Sequence, residues 1–173
     1  MLIVVVVVLP MVERIDMDHD HVRIIVLDAD PAGAEDVPAR RRDGELWELL
    51  KSPLYATEVA AGDIVKVINS EHGTFELVRR GGNVCVQFYL AAEQADSAES
   101  TRRVVEFFER ELKPVGGRVD NQTLGLVSCT IPAAAGFGTI ENIFSGAVEV
   151  FSGAQWQYGN VYDPSSGEPI GWW

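Results

Sequence analysis

Six side chains near the C-terminus offer the clearest chemistry in this chain: Trp156, Tyr158, Tyr162, Asp163, Trp172 and Trp173. They fall in the run WQYGNVYDPSSGEPIGWW (156–173), which holds three of the four tryptophans and two of the four tyrosines. Tyrosine and tryptophan are the usual anchors of protein interfaces, since each buries a large rigid ring and keeps a polar tip. Aromatic walls beside a carboxylate also attract cations through the ring quadrupole. Three uses of the run stay open: sealing an exposed core edge, anchoring a partner, or walling a small-molecule pocket. The six residues form the candidate partner-binding set.

Elsewhere the reactive residue types lack the spacing for chemistry. ERIDMDHDH (13–21) gathers Asp16, Asp18, His19, Asp20 and His21, a mixed nitrogen and oxygen donor set. As a calcium loop it fails at its sixth position, where His21 replaces glycine, and at its twelfth, where Leu27 replaces glutamate. A strand through it also sends neighbouring donors to opposite faces. It reads as a solvated lead-in, and no metal is expected. The chain has no GxGxxG or GxxxxGK phosphate cradle, no GxSxG elbow, no HExxH and no paired CxxC. His19, His21 and His72 fit no triad, and Glu106, Glu109 and Glu111 read as a solvated helix side. Cys85 has neither a base nor a helix start beside it in sequence, so it reads as an ordinary thiol. No catalytic residue and no cofactor are expected.

Charge narrows the partners. Of 173 residues, 26 are acidic and 14 basic, for a formal net charge of −12. A field of that sign repels nucleic-acid phosphates and anionic membranes and favours a basic protein partner. Two cysteines make no disulfide framework, which points to a reducing, cytoplasmic setting. MLIVVVVVLP (1–10) has the length of a signal core but no basic flank and no small-x-small site after it. It is also short of the roughly 18 residues that a membrane span needs. Its valines favour an extended strand, or the run precedes the working start.

The elements that must position these residues divide at Gly81-Gly82. Residues 1–20 read as an N-terminal extension and 21–82 as an antiparallel β module. HVRIIVLDAD (21–30) is its first strand, and PAGAEDVPARRRDG (31–44) is a loop with the triplet Arg40–Arg41–Arg42 at a solvated tip. ELWELL (45–50), LYATEVA (54–60), IVKVI (64–68) and TFELVRR (74–80) are its further strands. Leu46 or Trp47, Val59, Ile64, Val67, Phe75 and Leu77 should fill its interior.

Residues 83–163 read as a ferredoxin-like βαββαβ unit. Its strands are NVCVQFYLA (83–91), GRVDN (117–121), TLGLVSCTI (123–131) and WQYGNVYD (156–163). One helix covers 97–112, with a box from Asp96 to Glu99 and a stripe of Val104, Val105, Phe108 and Leu112. The other covers 140–152 after Thr139 as N-cap, with Gly153 past its end and Gly146 in its middle. Alternation puts Cys129 under the helices and Cys85 on the opposite face with Gln87, Tyr89, Ser128 and Thr130, so no bridge is expected. That polar face either receives the β module or stays open to a partner. Residues 164–173 form an aromatic tail.

The run from Trp47 through Ser52-Pro53-Leu54-Tyr55-Ala56 to Gly62-Asp63-Ile64-Val65 resembles the DUF4265 family of bacterial proteins. That family shows a Trp, an Asn-x-Pro-Phe-type segment and a Gly-Asp-x-Val turn; Ser52 stands here at the Asn position. The layout is similar over residues 22–135. The resemblance implies the fold and carries over no catalytic residue. The chain therefore reads as an α+β protein, a small antiparallel β module followed by a ferredoxin-like unit. Its expected function is non-enzymatic binding, of the immunity type that masks a basic protein. A small-molecule-binding regulator, or an enzyme without a motif signature, is the alternative.

Overall fold

Hydrophobic alternation and closely spaced turns in the first half build an up-and-down antiparallel sheet. Its strands are β1 (Asp20–Val26), β2 (Gly33–Arg41), β3 (Leu46–Leu49), β4 (Ile64–Asn69) and β5 (Thr74–Arg79), paired in that order. The computed structural model describes residues 20–26, 33–70, 72–163 and 165–173. The run 1–10 and the metal-type donors Asp16, Asp18 and His19 lie outside these residues. The sheet curls until β1 nears β5. It wraps a core of Val22, Val37, Ala39, Leu49, Ala56, Val59 and Val65, bordered by Trp47, Val67, Phe75 and Leu77. Ile64 is buried outside that core, because alternation along β4 places it on the face opposite Val65 and Val67.

Two expectations for this half are corrected. Residues 33–41 form a strand, although 31–44 reads as a loop. Val37 and Ala39 are buried, which gives β2 an inner face. Pro38 is tolerated because its carbonyl accepts from Leu50 N (2.8 Å), on the β3 side. In extended backbone N–H and C=O of one residue point the same way, so its missing donor faces past the end of β3 and removes no bond to β1. The arginine triplet is therefore no loop tip: Arg41 lies over the Trp47 ring (5.7 Å) and Arg42 pairs with Glu48.

Conversely, LYATEVA forms no strand. The amides of Leu54 and Tyr55 donate to the Glu35 carboxylate at 2.6 and 2.9 Å, so carboxylate oxygens replace a neighbouring strand.

The second half follows the predicted βαββαβ succession. β6 (Asn83–Tyr89) leads through a one-turn α1 (Ala92–Ala95) to α2 (Ala98–Leu112), then β7 (Arg118–Thr123), β8 (Leu126–Pro132), α3 (Phe137–Val150) and β9 (Gln155–Tyr158). The sheet order is β7-β8-β6-β9 and every neighbouring pair is antiparallel. Thus β6 and β7, joined through α2, run parallel with β8 between them, while β9 forms an open edge. Val84, Val86, Phe88, Val127, Cys129 and Ile131 face the helices, as their alternation requires. Phe108 of α2 stacks on Phe144 of α3 (4.6 Å) and meets Phe88 edge-on (5.0 Å). Each fully buried side chain of this kind contributes about 1.5–3 kcal/mol.

The helix boundaries shift by a few residues. α2 is capped by Ser97, whose side chain accepts from Ser100 N (3.1 Å), one residue after the expected Asp96. α3 begins at Phe137 after Gly136 instead of after Thr139, without a side-chain cap. It ends at Val150, and Gly153 takes the left-handed conformation (φ 79°) beyond its C-cap Phe151. Close packing does not account for Gly146, since a Cβ there meets no heavy atom within 4 Å. Gly146→Ala should therefore raise stability by about 0.5–1 kcal/mol, read as a higher urea midpoint; a lower midpoint would refute this.

Candidate functional site

The polar face of the second sheet is covered by the first half of the chain. Segment 51–61 lies across it and is held by buried side chains. Ser52 N donates to Asp120 Oδ2 (2.6 Å), and Ala61 N donates to Ser52 Oγ (3.1 Å). Ser52 Oγ lies 2.5 Å from Thr130 Oγ1, which in turn donates to Asp120 Oδ2. Arg118 Nε closes the chain on Asp120 Oδ1 (2.7 Å). Gln87 Nε2 reaches Leu54 O (2.9 Å), and Asn121 Nδ2 reaches Ser52 O (2.8 Å). Asp63 accepts from the amides of Ala60 (3.0 Å) and Gly81 (2.7 Å) and from Arg80 (3.2 Å).

This junction binds chain to chain. Ser52, Asp63, Gln87, Ser128 and Asn160 are wholly buried, and their polar atoms are engaged by backbone or by neighbouring side chains. Cys85 lies within it, fully buried, with Sγ 3.9 Å from Pro53 O. Burial pushes its thiol up to about 12, which leaves it protonated and a poor nucleophile at neutral pH. Cys129 sits under the helices, and both thiols are free.

The candidate binding surface lies at the β9 edge. Glu141 and Ser145 of α3, Trp156 to Tyr158 of β9, and Tyr162, Asp163 and Gly167 of the following turn surround a concavity of about 600 Å³. Trp156 packs on Phe144 (5.5 Å) and on Tyr158 (5.1 Å), and Tyr158 faces Tyr162 (6.1 Å). Asp163 fixes the turn by accepting from Ser165 Oγ (2.5 Å), Ser165 N and Ser166 N (2.9 Å each). Those bonds, the Ser165 hydroxyl first, hold its carboxyl down at about 2, so it is anionic at any ordinary pH. The Tyr158 hydroxyl is buried and lies beside the Glu141 carboxylate. Burial, with the Glu141 charge second, pushes its pKa up, so it stays protonated. None of the described lining residues is basic. Rings and two carboxylates form a setting for a cation carrying N–H donors.

Of the six predicted residues, Trp156, Tyr158, Tyr162 and Asp163 meet in this concavity. Trp172 does not: its Nε1 donates to Asn160 O (2.7 Å) and Arg80 lies over its ring (5.4 Å), so it seals the junction. Trp173 is 49% exposed and rests edge-on against Phe137 (4.9 Å), one ring removed from Tyr158. The run 156–163 is a strand only to Tyr158, because Asn160 turns inward to accept from Cys85 N (2.9 Å) and donate to Asn83 O (3.0 Å). Glu141, Ser145 and Gln157 escape the sequence reading. The sequence signal for Glu141 is its place on the polar side of the helix that precedes β9.

The architecture defines an α+β protein in which two antiparallel sheets meet across a buried polar junction. Residues 35–152 match the family described as a domain of unknown function, DUF4265, and the chain belongs to that family. The match takes in segment 51–61, the β6 to β8 side of the junction and α3, but stops short of β9, Asn160 and the tail. The chain is also similar to a solved structure titled as a novel crystal structure of a hypothetical protein from Neisseria gonorrhoeae. The two are 13% identical, with a TM-score of 0.60 over 84% of this chain and 96% of that one, a likeness of fold. No curated protein matches the chain. No described helix is long and apolar enough to cross a membrane, and no group of three metal-ligating side chains occurs among the described residues.

Proposed function

We propose that the protein is a non-enzymatic, acidic binding protein of the cytoplasm that masks a basic protein partner, as immunity proteins do. The observation that carries this reading is the concavity at the β9 edge. Its aromatic walls, the Glu141 and Asp163 carboxylates and the absence of any described basic lining residue match it to a cationic side chain. The net charge of −12 supports it by steering a basic partner inward, while the rings supply contact area. The junction also supports it, since the buried carboxylates and the Cys85 thiol there are engaged in holding the fold.

The test is a pull-down with the tagged full chain at low and at moderate salt. One basic protein should be recovered, released by salt, and reduced about tenfold by the pair Glu141→Gln and Tyr162→Ala. Both residues are exposed, so the fold should tolerate the changes. Recovery unaffected by salt and by these substitutions would overturn the reading. The same aromatic walls and carboxylates support a second reading, a small cationic ligand. A small amine that raises the melting temperature of the chain, with no protein recovered, would favour it.

A further inference from the structure

The concavity adjoins an unpaired strand. β9 ends the four-stranded sheet and pairs only with β6. Gly159 N donates to Cys85 O (2.8 Å), which fixes the alternation along the strand. Gln155 and Gln157 direct their backbone groups toward β6, as Gly159 does its N–H, so Trp156 and Tyr158 direct theirs along the open edge. Side chains alternate independently of this. Trp156 and Tyr158 lie on the α3 side against Phe144 and Phe137, while Gln157 lies on the other side and bonds Gln87 Oε1 (2.8 Å).

We infer that an extended, arginine-bearing segment of the partner adds to the sheet along the open edge of β9 and lays one guanidinium in the adjoining concavity. The inference rests on the basic-partner reading above and adds how the partner is held. A residue of the incoming strand opposite Trp156 or Tyr158 has its side chain on the α3 side, about 5 Å from theirs. There it meets the exposed Glu141 carboxylate, which can accept from a guanidinium N–H, and the Tyr158 and Tyr162 rings. Main-chain bonds give such strand addition its affinity, and the pocket gives its specificity. The opposite edge is poorly matched to a basic segment. β7 carries Arg118 there, and Lys51 lies beside it with Nζ on Asp120 O (2.9 Å).

The test uses the full chain and a capped hexapeptide alternating valine and arginine, with binding followed by calorimetry. Three analogues accompany it: one with citrulline for each arginine, one N-methylated at the arginine amides and one N-methylated at the valine amides. A strand bonded along one edge should lose about tenfold or more in affinity in one N-methyl isomer and little in the other. The citrulline peptide, and the Glu141→Gln protein with the parent peptide, should each lose about tenfold, while Glu109→Gln on the far helix should change nothing.

Equal affinity of the two N-methyl isomers would overturn strand addition while leaving the cation pocket intact. Failure of the parent peptide to bind would also overturn it. If the pull-down still returns a salt-released basic protein, only the mode of docking falls; if it returns nothing, the basic-partner reading falls as well.

Discussion

Gly81→Ala should destabilise the protein by about 3 kcal/mol, with a correspondingly lower urea midpoint in tryptophan fluorescence. A Cβ on Gly81 would lie 2.2 Å from the carbonyl carbon of Gly62 and 2.5 Å from its oxygen, far inside contact distance. Both obstacles are backbone, so no rotamer change relieves them. The turn at Ala61-Gly62 has to separate from the link between β5 and β6. That separation also stretches the bond from Gly81 N to Asp63 Oδ1 (2.7 Å). Gly62 contributes a φ of 86°, which side-chain-bearing residues rarely adopt. Gly82→Ala is the instructive companion, because its Cβ meets nothing within 4 Å and only its φ of 80° opposes it. It should cost about 1–2 kcal/mol, clearly less than Gly81→Ala. Equal costs at the two positions would show that backbone conformation, and not the close approach, makes this link sensitive.

How much of this was legible in the sequence depends on how local the cause is. Val104, Phe108 and Leu112 recur at helical spacing, and Val84, Val86 and Phe88 alternate, so the second half can be read from neighbours alone. The first half defeats the same method twice, each time for a non-local reason. LYATEVA has strand composition, but its amides are taken by Glu35, some twenty positions upstream, while Asp120, far downstream, takes the Ser52 amide just before it. PAGAEDVPARR has loop composition, but Pro38 is harmless because the structure directs its missing donor past the end of β3.

The family-like segments behave likewise. Ser52-Pro53 and Gly62-Asp63 read singly as a family likeness without chemistry, and together they bind one segment to the second sheet. The concavity was half legible, since the aromatic run announces Trp156, Tyr158, Tyr162 and Asp163. Glu141 enters only because α3 returns along the β9 edge, and Trp172 leaves because Asn160 offers its carbonyl.

Asp63→Ala should cost about 3–5 kcal/mol, the largest single-residue loss expected outside the apolar core. Its side chain is wholly buried, and removing it strands the amides of Ala60 and Gly81 and leaves Arg80 with the Glu58 carbonyl (2.5 Å). Each stranded buried donor costs about 1–3 kcal/mol, and the unpaired guanidinium adds to that. The residue also has a pH signature. Burial raises the Asp63 pKa above its ordinary 3.8, against the lowering pull of the Gly81 and Ala60 amides and Arg80. The folded state then holds this proton more tightly than the unfolded state. Asp63 accordingly contributes stability that is fully present below 3.8 and is lost as pH rises through the raised folded-state value.

Asp63→Asn lacks that titration and keeps one acceptor oxygen, so it should cost less than alanine, and its deficit should shrink from about pH 3.5 to about pH 7. A deficit that instead grows with pH would mean that the Arg80 and amide contacts outweigh burial. The ionised carboxylate would then be the form the fold prefers. Because Gly81 N is one of the three donors on Asp63, the two predictions are coupled. Gly81→Ala combined with Asp63→Ala should cost distinctly less than the sum of the single changes, since each disrupts the same bond. Additivity would place the Gly81 strain and the Asp63 contacts in separate parts of the junction, contrary to the 2.7 Å bond that joins them.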